Sequence, residues 1–170
     1  MDPFFTWIED GALSMFLRQS ISVFVFPGML VLHAVGMALL VGTHAAVALR
    51  ILGLAPRVPL SAMAPFVPVA WIGLGVNVFS GVLLLIAYPT KALTNPLFAL
   101  KMSFVVLALV VFSAIKRRVF SGAPASTSPS ASIVHRQERI LASILLGLWA
   151  GTIIAGRFLA YTYTRLLVNL

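Results

Sequence analysis

Cysteine is absent from this 170-residue chain, and only four acidic residues occur in it. The first absence excludes disulfides, iron–sulfur clusters, thiolate zinc or copper sites and covalently attached c-type haem. The acids are Asp2, Glu9, Asp10 and Glu138, and none lies inside an apolar run. Carboxylate proton relays and carboxylate-lined cation pathways need Asp or Glu within a membrane span, so the sequence argues against both. Charge of either sign is scarce: 9% of the residues are charged, against about 25% in an ordinary soluble domain.

Apolar residues fill the space, at 61% of the chain. A spanning helix takes about 20 mostly apolar residues. Four spans and their connections therefore nearly exhaust the length and leave no room for a separate soluble catalytic domain. The expected fold is all-α: an integral membrane four-helix bundle over residues 20–170, preceded by an N-terminal amphipathic interfacial helix over residues 1–19. The N-terminus opens on Asp2 and has no small-residue cleavage site before the first span, so no removable signal peptide is expected.

The pattern places the elements. Asp2 and Pro3 read as a cap and first-turn proline. Phe5, Ile8, Ala12, Met15 and Phe16 then recur at helical spacing against Glu9, Asp10 and Arg18, giving a surface helix with Trp7 among its anchors. The spans run from about Ser20 to Val47, Pro65 to Tyr88, Asn95 to Lys116, and Ile140 to Tyr163. Pro27 and Gly28 are expected to kink the first span, and Asn95–Pro96 reads as another cap and first-turn proline. A linker over 116–139 contains the flexible Ser121 to Ser132 segment.

The net charge of +8 does not signal nucleic acid, because most of the cations flank spans. Arg50, Arg57, Lys116, Arg117, Arg118, Arg136 and Arg139 follow spans one and three, against Arg18, Lys91 and Arg165 on the other side. The positive-inside rule then makes the first and third connections cytoplasmic and sets both termini on the outer, periplasmic side.

Lys101 and Arg157 fall inside spans, each roughly 9 Å from the outer end at 1.5 Å per residue, and His33 lies in the same outer half. Asn77, Ser80 and Tyr161 join them at that depth. Titratable side chains converging at one depth on three helices are costly unless they face a shared interior or ligand. The competing readings are ordinary ones. Lys101 or Arg157 could snorkel to the headgroups, and His33 could be a neutral histidine bonded to a neighbouring helix. Arg157 points about 200° away from the small-residue stripe Gly147, Gly151 and Ala155, so either that stripe meets a partner outside the bundle or Arg157 leans sideways.

His33 and His44 are eleven residues apart, on one face and about 16 Å apart along the axis. A bis-histidine haem would need a facing imidazole, and His135 is the remaining histidine, which leaves a His44–His135 pair as one arrangement. Met29, His33 and Met37 form an i, i+4, i+8 row; thioethers flanking an imidazole suit Cu(I), and Met102 and His44 extend the candidate metal ligands. The competing reading of these methionines is apolar filler. Ala34, Ala38 and Gly42 are expected to form a packing seam within the bundle.

Several strings together resemble a family of bacterial four-helix integral membrane proteins without an assigned activity: Trp7-Ile8-Glu9; Leu32-His33-Ala34-Val35-Gly36 with Gly42; Leu49-Arg50-Ile51-Leu52-Gly53-Leu54; Asn95-Pro96 to Lys101; and Ala155-Gly156-Arg157. The likeness covers nearly the whole chain and implies a bacterial inner-membrane location. More distantly, a first-span histidine with a lysine entering a later span is similar to the haem-binding membrane protoporphyrinogen oxidases and the copper-resistance membrane family. That similarity implies His33 as an axial haem ligand and Lys101 as its functional partner. Leu100 and Met102 flank Lys101 here, where the oxidases carry an aromatic–histidine context.

The resulting expectation is a small membrane redox or cofactor-binding subunit, with b-type haem or a quinone held by His33, Lys101, Arg157, Asn77 and Tyr161. The alternatives are a copper-handling membrane protein, and a structural or assembly subunit that docks on other membrane subunits or forms a homo-oligomer. The lipid bilayer is a partner in each.

Overall fold

The computed structural model describes residues 3–20, 22, 24–120 and 135–166. The expected cap residue Asp2 and the expected Ser121 to Ser132 linker lie outside the described residues. Among the described residues, seven α-helices follow in order: α1 (Pro3–Glu9), α2 (Ala12–Gln19), α3 (Phe26–Leu52), α4 (Phe66–Ala87), α5 (Pro89–Leu93), α6 (Pro96–Phe120) and α7 (Arg136–Leu166). A 3-10 turn over Leu60–Met63 leads into α4. Four helical segments among the described residues are long and apolar enough to cross a membrane, and they are the four expected.

Local chemistry sets the ends. Pro27 sits in the first turn of α3, so it starts that helix and does not kink an established one. This corrects the expected start at Ser20. At the far end Gly53 adopts φ 103°, its N–H reaches Arg50 O at 3.2 Å, and Leu54 N–H reaches Leu49 O at 3.0 Å. That pair of bonds is a Schellman closure, which needs the left-handed residue glycine supplies. Asn95 Oδ1 accepts the Leu97 N–H at 3.0 Å ahead of Pro96, as the cap reading required. In α7, Glu138 accepts the His135 N–H at 2.6 Å, so the helix begins a turn before Ile140.

The N-terminal surface segment is two helices, not one. Gly11 is extended (φ −66°, ψ 144°) and breaks the run between α1 and α2. The second half docks on the protein: Leu17 and Ser14 are buried, and Ser14 Oγ donates to Ala87 O at 3.4 Å at the end of α4. Glu9 accepts the Thr90 N–H at 3.2 Å in the first turn of α5. Arg18 donates to Glu9 O and lies 5.9 Å above the Tyr88 ring. Trp7, at 74% exposed, and Phe16 face away from the protein.

The spans form two antiparallel hairpins, α3 with α4 and α6 with α7, joined along α3 and α7. In the first hairpin the backbones nearly touch. A Cβ added at Gly36 would fall 2.7 Å from Asn77 N, and one at Gly73 would fall 2.7 Å from Leu40 N. The expected seam of Ala34, Ala38 and Gly42 is overturned: all three are exposed, and a Cβ on Gly42 meets nothing within 4 Å. Small residues line both sides of α3, and the side bearing Gly36 is the one that packs.

The main core lies towards the end of the bundle that holds the α3–α4 and α6–α7 connections. It gathers Leu40, Val47, Ala48 and Ile51 of α3, Ala70 of α4, Ala108, Phe112 and Ile115 of α6, and Ala142, Leu145 and Trp149 of α7. At the opposite end, a smaller core of Leu17, Met29 and Ala87 joins α2, α3 and α4 only. No residue of α6 before Ala108 is buried. The two hairpins thus share a core at one end and keep looser company at the other.

Candidate functional site

His33 lies at that looser end, seven residues into α3, or roughly 10 Å from its start. Its ring turns to α4, where Nδ1 is 3.1 Å from Ser80 Oγ. The Ser80 hydroxyl has one proton, and it points back to the Val76 carbonyl at 2.7 Å. Ser80 therefore accepts from His33 Nδ1–H, and the lone pair of the imidazole resides on Nε2. Asn77 Nδ2 donates to the His33 carbonyl at 3.0 Å, which fixes the helix turn as well as the ring. Gly81 lies beside the ring, where a Cβ would sit in ordinary contact, 3.4 Å from His33 Cε1.

Among the described residues, the only buried side-chain polar atom without a partner is Arg18 Nε. Among the described residues His33 Nε2 makes no hydrogen bond, and it is not shut away. Lys101 is in the same position. It is partly buried and forms no ion pair or hydrogen bond among the described residues. Its stem passes 3.9 Å from where a Gly156 side chain would begin. Glu9 and Glu138 are engaged with backbone N–H groups at the two ends of the bundle, so neither reaches the ammonium. An imidazole on α3 and an ammonium on α6 thus lie in the same half of the bundle.

The other candidates are distributed differently. Arg157 and Tyr161 pair with each other on the outside of α7, Nη2 to hydroxyl at 3.2 Å, with the guanidinium 5.6 Å above the ring. Gly151 packs on Phe104 and Ala155 is buried, so the inner part of the α7 stripe faces α6 and Arg157 leans out. Met29 is buried in the small core, Met37 packs on the main core, and Met102 is exposed.

His44 shares a helix face with His33 but meets other neighbours. Trp149 Nε1–H donates to His44 Nδ1 at 3.1 Å, and Phe112 stacks on the ring at 3.7 Å between centroids. The residue is 1% exposed. His135 is exposed at the start of α7, fourteen residues from Trp149 and roughly 21 Å away along the helix. The His44–His135 haem pair is therefore overturned by geometry.

Sequence reasoning missed Trp149, although a mid-span indole N–H in hydrocarbon demands an acceptor and His44 was available as one. It also missed Gly73, whose lack of a side chain lets α3 and α4 approach. Comparison of the chain with family profiles, curated proteins and solved structures finds no match.

Proposed function

We propose that this chain is a small membrane redox subunit that holds a quinone headgroup between its two hairpins, at His33 and Lys101. The observation that supports the reading is a His33 ring held on Ser80 in the same half of the bundle as a partly buried lysine that has no partner among the described residues. A quinol hydroxyl would donate to Nε2 and a quinone oxygen would accept from Lys101 Nζ. Such a ligand is apolar apart from its oxygens and arrives through the bilayer. When bound it supplies the electron chemistry, while the protein supplies orientation and charge.

One observation favours haem as a second reading. A metal-binding histidine usually donates its other ring N–H to an outer partner, as His33 does to Ser80. His33 Nε2 would then hold the iron and Lys101 would meet a propionate. On the charge distribution, we further propose that the end bearing α1 and α2 faces the periplasm of a bacterial inner membrane.

Detergent-purified protein is first examined by absorption spectroscopy and metal analysis, then titrated with a short-chain quinone while tryptophan fluorescence is followed. Saturable quinone binding is expected, weakened about tenfold or more by His33→Ala and by Lys101→Ala. A Soret band lost in His33→Ala transfers the site to haem. Copper retained by the wild type and lost in His33→Ala transfers it to metal handling. Quinone binding indifferent to both substitutions removes the reading.

A further inference from the structure

A groove of about 440 Å³ runs along the outer side of α6, lined by Val106, Leu109, Val110, Ser113, Ala114 and Arg117. It starts in mid-membrane, where Val106 and Val110 are well exposed, and ends three turns on, at the level of the α6–α7 connection. Its lining changes character in order: aliphatic first, then a hydroxyl, then a guanidinium. That order matches the acyl chain, ester and phosphate of a glycerophospholipid.

The polar groups at its upper end are uncommitted. Thr43, Ser80, Ser103 and Thr152 each return their hydroxyl proton to a carbonyl of the preceding turn. Ser113 makes no such bond among the described residues and is not sealed off. Arg118 is taken by Gln137 at 2.8 Å, whereas Arg117 is exposed and has no partner among the described residues.

Among the described residues no carboxylate pairs with Arg117. Residues 121–134, which continue from α6, contain no Asp or Glu. Three of the four acids precede the first span, and Glu138 is engaged with His135 N–H. A second copy in the same orientation would bring the same deficit.

We infer that this groove is a binding site for an anionic glycerophospholipid, its acyl chain along Val106 and Val110, its ester beside Ser113 and its phosphate on Arg117. A guanidinium is well suited to a phosphodiester, and a cation at the headgroup level contributes about 1 kcal/mol with an anionic lipid. The site is independent of the one at His33.

Delipidated protein in a maltoside detergent is titrated with phosphatidylglycerol and, separately, with phosphatidylcholine, following thermal stability and bound lipid by native mass spectrometry. The expected result is saturable binding of one phosphatidylglycerol in preference to phosphatidylcholine. Arg117→Gln weakens it about fivefold, the equivalent of one such cation, and Val110→Trp blocks it, while Arg57→Gln leaves it unchanged. Equal binding of the two lipids overturns the site. So does an equal loss in Arg57→Gln, which would mark a general surface-charge effect. A detergent-stable dimer broken by Val110→Trp also overturns it, since a second copy would then occupy the groove.

Discussion

His33 and His44 lie on one face of one helix, yet their hydrogen bonds put the imidazole proton on opposite nitrogens. Ser80 accepts from Nδ1–H of His33, while the donor-only indole of Trp149 makes Nδ1 of His44 an acceptor. His44 is consequently a packing and bonding residue that ties the first hairpin to the second, and His33 keeps a nitrogen for something else. Trp149→Phe is expected to destabilise the protein by roughly 1 kcal/mol, and the same change in a His44→Leu background by clearly less, because both polar partners have then gone. Unfolding in mixed micelles with both single variants and the double variant measures this coupling; additive effects would show that the bond contributes nothing. The sequence revealed both histidines, their spacing and the depth of His33. It did not reveal their neighbours, because those depend on where α4 and α7 cross α3, which local spacing does not encode.

At the scale of helices, the closest approach is between α3 and α4, where Gly36 and Gly73 set backbone against backbone. A methyl at either position meets main-chain atoms that cannot swing aside, and overpacking of this kind costs about 1–3 kcal/mol or more. Gly36→Ala and Gly73→Ala are each expected to lower the melting temperature in detergent or to prevent folding. Ala38→Leu, on the lipid side, is expected to stay within about 0.5 kcal/mol of the parent. Thermal unfolding of the three variants decides it, and a large loss in Ala38→Leu with none at the glycines would reverse the assignment of faces. Hydrophobic length and the Asn95–Pro96 end signal made the four spans legible. The seam was not, because alanines and glycines recur on both sides of α3 and only the partner helix distinguishes them. Likewise, Gly11 stood in plain view within an amphipathic pattern, but the pattern continues across it while the backbone does not.

For the whole molecule, the cations at the loop end imply an orientation, and it is testable on exposed positions. Leu54 lies in the α3–α4 connection and Leu93 at the opposite end of the bundle. In intact cells a membrane-impermeant thiol reagent is expected to label Leu93→Cys and spare Leu54→Cys; the converse pattern inverts the proposed topology. Class and span number followed from composition, since so apolar a chain has few other ways to satisfy its backbone. The unequal joining of the hairpins did not, because it arises from which side chains interlock across a bundle. The docked N-terminal helices bear on biogenesis. Ser14 and Glu9 bond to groups 73 and 81 residues further along the chain. Both helices therefore emerge from the ribosome long before their binding surface exists, and wait until the second span has been synthesised and inserted. Residues made first therefore reach these contacts only after two spans are in place.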